Sequence, residues 1–183
     1  MTEQKQQLSQ PYPAEWPVRK ALQTYLDENG FSRKEYDETL IYVTFWSVTF
    51  PFPNPPSRHI AVRFHDLHHV VTGYGTDPTG EAEISAWELR RGIRVFGFFV
   101  QWIIIGGTFL GLLHSPRRTY AAWRAGHHPN RVPLQPATMD NYDRLLDLSV
   151  GELRQLYGVA PEGIAGAREL HYAAPSRKGK NQP

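Results

Sequence analysis

The 183-residue sequence contains no cysteine. This absence excludes disulfide bridges, thiolate zinc sites, iron–sulfur clusters and cysteine nucleophiles. The formal charge of +2 at neutral pH is too small for a nucleic-acid-binding surface, so no nucleic-acid partner is predicted. The sequence also lacks a Gly-x-Ser-x-Gly elbow, a phosphate-binding glycine-rich loop with lysine and a dinucleotide fingerprint. Any metal ion must therefore be bound by histidine, aspartate, glutamate or water.

The composition, 40% hydrophobic and 21% charged, is typical of a folded protein, and the length suits one domain. Composition and pattern predict a flexible N-terminal tail over 1–15, a helical domain over 16–172 and a disordered C-terminal tail over 173–183. The first residues resemble neither a secretory signal nor a transit peptide, which predicts a cytoplasmic protein.

Apolar residues at helical spacing predict an all-α fold. Ser32 and Glu35 form a capping-box signature, which predicts a helix that continues to about Trp46. The β-branched residues over 43–49 leave a strand open as the alternative, and the prolines over 51–56 end either element. Leucines over 145–156 predict one last helix.

A helix is predicted from Ser57 to Gly73, and it carries two histidines of interest. His65 and His69 are four residues apart and project from the same side, a spacing that lets two imidazoles bind one metal ion. The apolar stripe of this helix lies on nearly the opposite side. The histidine face is therefore either exposed to solvent or covered by a second helix and a bound ligand.

Asp77 and Pro78 predict the N-terminus of the next helix, whose first turn contains Glu81. Ser85 and Glu88 share the face of Glu81. Two nitrogen ligands and one oxygen ligand, with one position open, describe a catalytic divalent-metal site rather than a structural one.

The sequence makes separate predictions for several side chains near this site. Asp66 is either a direct ligand or an acceptor that orients an imidazole. His68 projects away from the other two histidines and is predicted to pack, while Glu83 is predicted to be solvated and Glu88 is a secondary candidate. The His127-His128 loop is predicted to be exposed.

The segment from Val95 to Leu113 is strongly apolar and almost long enough to span a bilayer. Arginines flank it on both sides, and Gly106-Gly107 weakens a helix in its middle. We therefore expect a central apolar helix that lines a lipid-accessible pocket, with a membrane span as the alternative.

The string His65-Asp66-x-x-His69, eleven further residues and then Glu81 resembles the signature of the coenzyme Q biosynthesis protein 4 family. The Thr72-Gly73 turn and the glycine preceding Glu81 fit the same pattern. The resemblance is good over 58–113 and weaker over 114–160. His68 inside the motif and the loop at 127–129 depart from it, which leaves the number of ligands open.

The resemblance implies an all-α, single compact helical domain that belongs to ubiquinone biosynthesis. The implied metal-binding and catalytic residues are His65, Asp66, His69 and Glu81. The implied reaction is oxidative decarboxylation (a lyase activity) of a prenylated hydroxybenzoate ring, the quinone precursor. Zinc is the favoured ion, and cobalt, manganese and ferrous iron suit the same ligands.

The resemblance also implies peripheral association with membranes and with other quinone-biosynthesis proteins, which, with the predicted cytoplasmic setting, places the protein at the cytoplasmic face of the inner membrane. Association with further copies of the chain is left open. Two alternatives from other functional classes are retained. One is a non-catalytic organiser that binds prenyl lipids for partner enzymes. The other is a small integral membrane protein.

Overall fold

The structure is a computed structural model that describes residues 12–45, 48–127 and 133–164. In these ranges the chain forms seven α-helices, two 3-10 helices and one β-hairpin. In order they are α1 (Val18–Asn29), the 3-10 helix (Arg33–Asp37), β1 (Leu40–Phe45), β2 (Val48–Pro53), α2 (Pro56–Thr72), α3 (Pro78–Arg91), α4 (Phe98–His114), α5 (Pro116–Ala125), α6 (Met139–Leu146) and α7 (Val150–Leu156), with a short 3-10 turn (Ile93–Val95) between α3 and α4. The all-α class is confirmed. The predicted C-terminal tail lies outside the described residues.

Helix α2, which carries the histidines, lies at the centre of the fold and contacts α1, α3, α4, α6 and α7. Its apolar stripe is the reason: Phe64, Leu67 and Val71 are fully buried. The helix ends at Gly73, whose φ of 80° is a left-handed conformation that glycine adopts without strain. The predicted bounds of this helix are thus accurate to one residue.

Helix α3 begins as the sequence predicts. The side chain of Asp77 accepts hydrogen bonds from the backbone N–H groups of Thr79 (2.8 Å) and Gly80 (3.1 Å), and Pro78 occupies the first turn. A loop of only five residues therefore joins α2 to α3. This short connection returns the chain toward the histidine face of α2.

The predicted helix through Trp46 is wrong, and the strand alternative is right. The side chain of Ser32 caps only the short 3-10 helix, where it accepts from Lys34. Antiparallel pairing then runs from Leu40 opposite Pro53 to Phe45 opposite Val48. Alternating aromatic and β-branched residues favour this hairpin, and prolines are tolerated because both strands of a two-stranded sheet are edge strands.

The domain begins earlier than the sequence predicts, because residues 12–15 pack against it. The backbone N–H of Gly151 donates to the carbonyl of Ala14 over 2.8 Å. The hydroxyl of Tyr12 donates to the carboxylate of Glu28 over 3.1 Å. Residues 12–15, which were predicted to belong to the flexible tail, therefore contact the folded domain.

The single last helix predicted from the leucines is instead two helices, α6 and α7. The break is a capping box, in which the Ser149 side chain and the Glu152 side chain each bond the other residue's backbone N–H. On α7, the guanidinium of the buried Arg154 donates to the carbonyl of Val71 over 3.1 Å. This bond ties α7 to the C-terminal end of α2.

The apolar helix α4 packs against α3 through its glycines. A Cβ on Gly107 would lie 2.6 Å from the hydroxyl oxygen of Ser85, and one on Gly111 would lie 2.4 Å from the Cβ of Ala82. Glycine at both positions lets the two helices approach closely.

The rest of α4 is largely exposed, which corrects the expectation of a central helix: α4 lies at the edge of the domain. Its exposed apolar residues are Phe98, Trp102, Ile103, Ile105, Phe109, Leu110, Leu112 and Leu113. Among the described residues, none of the helices combines the length and the apolar character that a membrane span requires.

Candidate metal site

His65 and His69 on α2 and Glu81 on α3 meet at one point. Their ligand atoms all lie within 4.8 Å of one another. The Nε2 atoms of the two histidines are 3.2 Å apart. A carboxylate oxygen of Glu81 lies 3.3 Å from Nε2 of His65, and its other oxygen lies 3.6 Å from Nε2 of His69. The structure thus brings together three of the four predicted ligands.

These separations fit a single small cation. Zinc binds imidazole nitrogen at about 2.0–2.1 Å in tetrahedral geometry, which places neighbouring ligand atoms about 3.3–3.4 Å apart. The spacing of the two Nε2 atoms and of the closer Glu81 oxygen is close to that value. The three side chains supply two nitrogen ligands and one carboxylate, which leaves a fourth position for water or substrate.

Both imidazoles are oriented by hydrogen bonds on their far side. Nδ1 of His69 lies 3.0 Å from the carbonyl oxygen of Tyr74, which can only accept, so Nδ1 carries the proton. Nδ1 of His65 lies 3.1 Å from a carboxylate oxygen of Glu88. For His69 this partner favours the tautomer whose Nε2 lone pair faces the site, as a metal-binding histidine requires. Burial lowers the pKa of His65, but Glu88 and Glu81 outweigh burial and raise it, so a metal ion bound there would displace a proton.

Electrostatics keeps the carboxylates of the site ionised. Burial raises the pKa of Glu88, but the rings of His65 and His68 outweigh burial and hold this pKa at about 2. Burial likewise raises the pKa of Glu81, and the two ligand histidines reverse the effect and lower it. Burial lowers the pKa of His69, which favours the neutral imidazole that a metal ion needs.

Glu88 joins His65 to a second histidine. One oxygen of the buried Glu88 carboxylate lies 2.6 Å from Nδ1 of His68 and 3.1 Å from Nδ1 of His65. Nε2 of His68 lies 3.3 Å from the hydroxyl of Tyr157. His68 is buried and outside the ligand group, as predicted. Glu88 contacts the ligand His65 directly, which is a closer involvement in the site than predicted. Its position seven residues after Glu81, on the same face of α3, is the sequence pattern that indicates this contact. No local pattern indicates Tyr157.

Asp66, the fourth predicted ligand, lies outside the cluster, which corrects the direct-ligand assignment. Its carboxylate accepts hydrogen bonds from the hydroxyls of Tyr25 (3.4 Å) and Tyr36. Burial raises the pKa of Asp66 to about 6, while the Tyr36 hydrogen bond opposes that rise. The ring of Tyr25 in turn stacks on His69, with centroids 5.4 Å apart. Tyr25 thus contacts both Asp66 and the ligand His69.

Two other predictions concern groups away from the site. Glu83, predicted to be solvated, is instead buried and forms an ion pair with Arg118 over 2.9 Å. His127 is exposed, as predicted, and its Nδ1 lies 3.0 Å from the guanidinium of Arg90. His128 lies outside the described residues.

A cavity of about 350 Å³ is lined by two of the three ligands, His65 and Glu81. Its polar lining also includes Ser85 and Glu88, which share the predicted face of α3 with Glu81. Another part of the lining is apolar and comes mainly from α4 and the turn before it. Its members are Phe96, Val100, Ile103 and Ile104. Helix α4 therefore lines the pocket, as predicted.

No family model matches the chain, and neither a curated protein nor a solved structure shows significant similarity to it. The function is therefore inferred from the motif and from the geometry of this site. That geometry consists of a three-ligand cluster, oriented imidazoles and a cavity with both polar and apolar lining residues.

Proposed function

We propose that this chain is a divalent-metal-dependent protein of ubiquinone biosynthesis, similar to coenzyme Q biosynthesis protein 4. In this proposal it catalyses the oxidative decarboxylation of a prenylated hydroxybenzoate ring. The observation that carries the proposal is the convergence of His65, His69 and Glu81 beside a cavity with an apolar wall. The motif spacing described above supports the same substrate class.

The polar and the apolar lining of the cavity suit the two parts of such a substrate. The oxygen-bearing ring belongs next to the ligand cluster, and the prenyl chain belongs on Val100, Ile103 and Ile104 of α4. A volume of about 350 Å³ lies in the range of sites that bind small molecules. Apolar burial of the chain would provide affinity, and the polar groups would fix the orientation of the ring.

The donor set fits a divalent cation held by His65, His69 and Glu81. Zinc is the favoured ion, with cobalt, manganese and ferrous iron as alternatives. A bound cation would supply Lewis acidity, which stabilises negative charge on a ring oxygen as carbon dioxide departs. Glu88 and the carbonyl of Tyr74 would hold both imidazoles in place throughout the reaction.

The proposed reaction balances with dioxygen and water as co-reactants. One carboxylic acid, one dioxygen and one water give one ring hydroxyl, one carbon dioxide and one hydrogen peroxide. The bond from the ring carbon to the carboxyl group breaks, a bond from that carbon to oxygen forms, and dioxygen takes up the two electrons. Since zinc offers no redox path, with zinc the dioxygen would react with the substrate itself.

Turnover by the purified protein tests this proposal. Protein loaded with zinc, cobalt, manganese or ferrous iron should release labelled carbon dioxide from a carboxyl-labelled prenylated hydroxybenzoate under oxygen, and the metal-free protein should not. Tight binding of the acid without turnover would instead support the alternative, a prenyl-lipid-binding organiser. If the protein neither binds nor converts the acid, both proposals are wrong.

We further propose that the protein acts at the cytoplasmic surface of the inner membrane, where prenylated precursors and other quinone-biosynthesis proteins would be met. The exposed face of α4 supports this, because Phe98 is 75% exposed, Phe109 61% and Leu113 67%. Exposed arginines at both ends of the helix, Arg94 and Arg117, can contact anionic headgroups. Apolar residues with flanking cations are typical of helices that lie in a membrane interface.

Phe109→Ser combined with Leu113→Ser should weaken binding to vesicles of anionic phospholipid by about tenfold or more, because both apolar side chains would leave the interface. Co-sedimentation with the vesicles measures this. Met139→Ser, which changes an exposed apolar residue on α6, is the control and should bind as the unchanged protein does. Equal binding by the double variant would contradict the proposed surface.

A further inference from the structure

Among the described residues that line the cavity, Arg58 on α2 is the one arginine or lysine. The other charged residues that line the cavity are the carboxylates of Asp66, Glu81 and Glu88. A cation in a cavity otherwise rich in carboxylates changes which ligand groups can bind there. The ligand cluster suits oxygen atoms that bind a metal ion, whereas a guanidinium suits a carboxylate or another anion.

The guanidinium of Arg58 is held in place from one side. Its Nη1 donates to the side-chain oxygen of Asn54 over 3.0 Å. Asn54 is itself buried, and its amide nitrogen donates to the carbonyl oxygens of Glu38 (2.7 Å) and Tyr36 (3.3 Å). Because the anchor is fixed by backbone groups, the guanidinium loses less conformational entropy when a ligand binds.

Within the described residues, Arg58 forms no ion pair with a carboxylate. Two other arginines do: the partly buried Arg63 on the same helix pairs with Asp37 over 2.8 Å, and the exposed Arg118 pairs with Glu83 over 2.9 Å. Burial lowers the pKa of Arg58, and nearby Asp66 opposes the decrease, yet a guanidinium stays charged. A partly desolvated cation without a counter-ion favours an anionic ligand.

Arg58 also lies at a suitable distance from the ligand cluster. It precedes His65 by seven residues, which is two helical turns, so both side chains project from the same side of α2. The two Cα atoms are separated by about 10 Å along the helix axis. Both residues line the same cavity, so one ligand can reach them together.

We propose that Arg58 is a specificity-determining residue that binds the carboxylate of the ligand in this cavity. A ring oxygen of the same ligand then lies toward His65, His69 and Glu81. The cavity would thus recognise an amphiphilic aromatic acid at two points, and an ester or a phenol without the carboxylate would lose one of them. This inference rests on the proposed function, because it assigns the part of the substrate that Arg58 contacts.

The test compares three probes: 3-geranyl-4-hydroxybenzoic acid, its methyl ester and geranyl phosphate. The protein should bind the acid about ten- to a hundredfold more tightly than the ester, as expected for a charge-assisted hydrogen bond. Arg58→Gln should remove that preference and leave the affinity for the ester and the metal content unchanged. Arg58→Lys should keep part of it. Arg63→Gln, on the same helix but outside the cavity wall, is the matched control and should keep all of it.

If Arg58→Gln still prefers the acid to the ester, the inference is wrong and the proposed function is unaffected. The same conclusion follows if the unchanged protein converts the acid but binds acid and ester equally. If the preferred anion is geranyl phosphate and Arg58→Gln removes that preference, the assigned carboxylate is wrong. If the acid binds through Arg58 and no carbon dioxide is released, the inference is supported and the proposed catalysis fails. Thermal unfolding of each variant must match that of the unchanged protein, which separates loss of recognition from loss of folding.

Discussion

Replacing His65 or Glu81 with alanine is expected to reduce bound divalent metal from about one ion per chain to nearly none. Each substitution removes one of three ligands, and the two that remain should bind zinc more than about a hundredfold more weakly. Elemental analysis after dialysis against zinc, together with calorimetric titration, measures the loss. His69→Ala should behave in the same way, because its Nε2 lies 3.2 Å from that of His65.

The control for this experiment is His114→Ala. His114 is exposed, lies at the end of α4 and is not a member of the cluster, so its removal should leave the metal content unchanged. Equal metal binding by the His65, Glu81 and His114 variants would show that the cluster is not a metal site. In that case the proposed function would lose the observation that carries it.

Glu88→Gln should have a graded effect in the same assay. One carboxylate oxygen accepts from Nδ1 of both His65 and His68. An amide oxygen in its place would still accept but carries no negative charge, so both bonds would be weaker. The orientation of His65 would be weakened but its ligand atom retained, so affinity should fall by about ten- to a hundredfold. A complete loss, equal to that of His65→Ala, would mean that Glu88 is itself a ligand.

Gly80→Ala is expected to be the most destabilising small substitution near the site. A Cβ at this position would lie 2.0 Å from the carbonyl oxygen of Gly75 and 2.5 Å from its carbonyl carbon. Both atoms are backbone, so the start of α3 must move, at a cost of about 2–3 kcal/mol in the free energy of unfolding. Because Glu81 is the next residue, metal affinity should fall together with stability.

Gly106→Ala is the matched control, since it makes the same chemical change in α4. A Cβ there meets nothing within 4 Å, and alanine is the better helix former, so the free energy of unfolding should rise by up to about 1 kcal/mol. Urea denaturation of both variants gives the two values. Equal stability of Gly80→Ala and the unchanged protein would contradict the close contact between the loop and α3.

The ligand cluster could be predicted from the sequence because each step toward it is local. The spacing of four residues from His65 to His69 places them on one helix face, whatever the rest of the fold does. The stop at Gly73 and the cap at Asp77 are likewise determined by backbone conformation and by hydrogen bonds over two or three residues. A short loop between two helices then returns Glu81 to the histidines.

The hairpin shows where such local reasoning fails. Ser32 and Glu35 match a capping box, but the serine caps only one 3-10 turn. The β-branched and aromatic residues that follow prefer an extended chain, and pairing between β1 and β2 outweighs the cap. A cap contributes about 1 kcal/mol, which is less than the packing and pairing of two strands.

Sequence patterns also did not predict which charged side chains are buried. Glu83 looks like an ordinary solvated residue, yet α5 supplies Arg118 as its partner. The family resemblance implies Asp66 as a ligand, yet Tyr25 and Tyr36 donate hydrogen bonds to its carboxylate. In both cases the partner lies far along the chain and is brought near only by helix packing.

The sequence by itself determined the helical class, the histidine pair on α2, the carboxylate face of α3 and the apolar character of α4. Helical periodicity and capping act over a few residues, so these features need no knowledge of the fold. Only the tertiary structure decided three contacts. Tyr157 hydrogen-bonds to His68, which lies 89 residues earlier in the chain, and tyrosines donate hydrogen bonds to Asp66. Arg58 lines the same cavity as the ligands His65 and Glu81. These contacts depend on the distances between packed elements, which arise from burial of the whole core rather than from any local pattern.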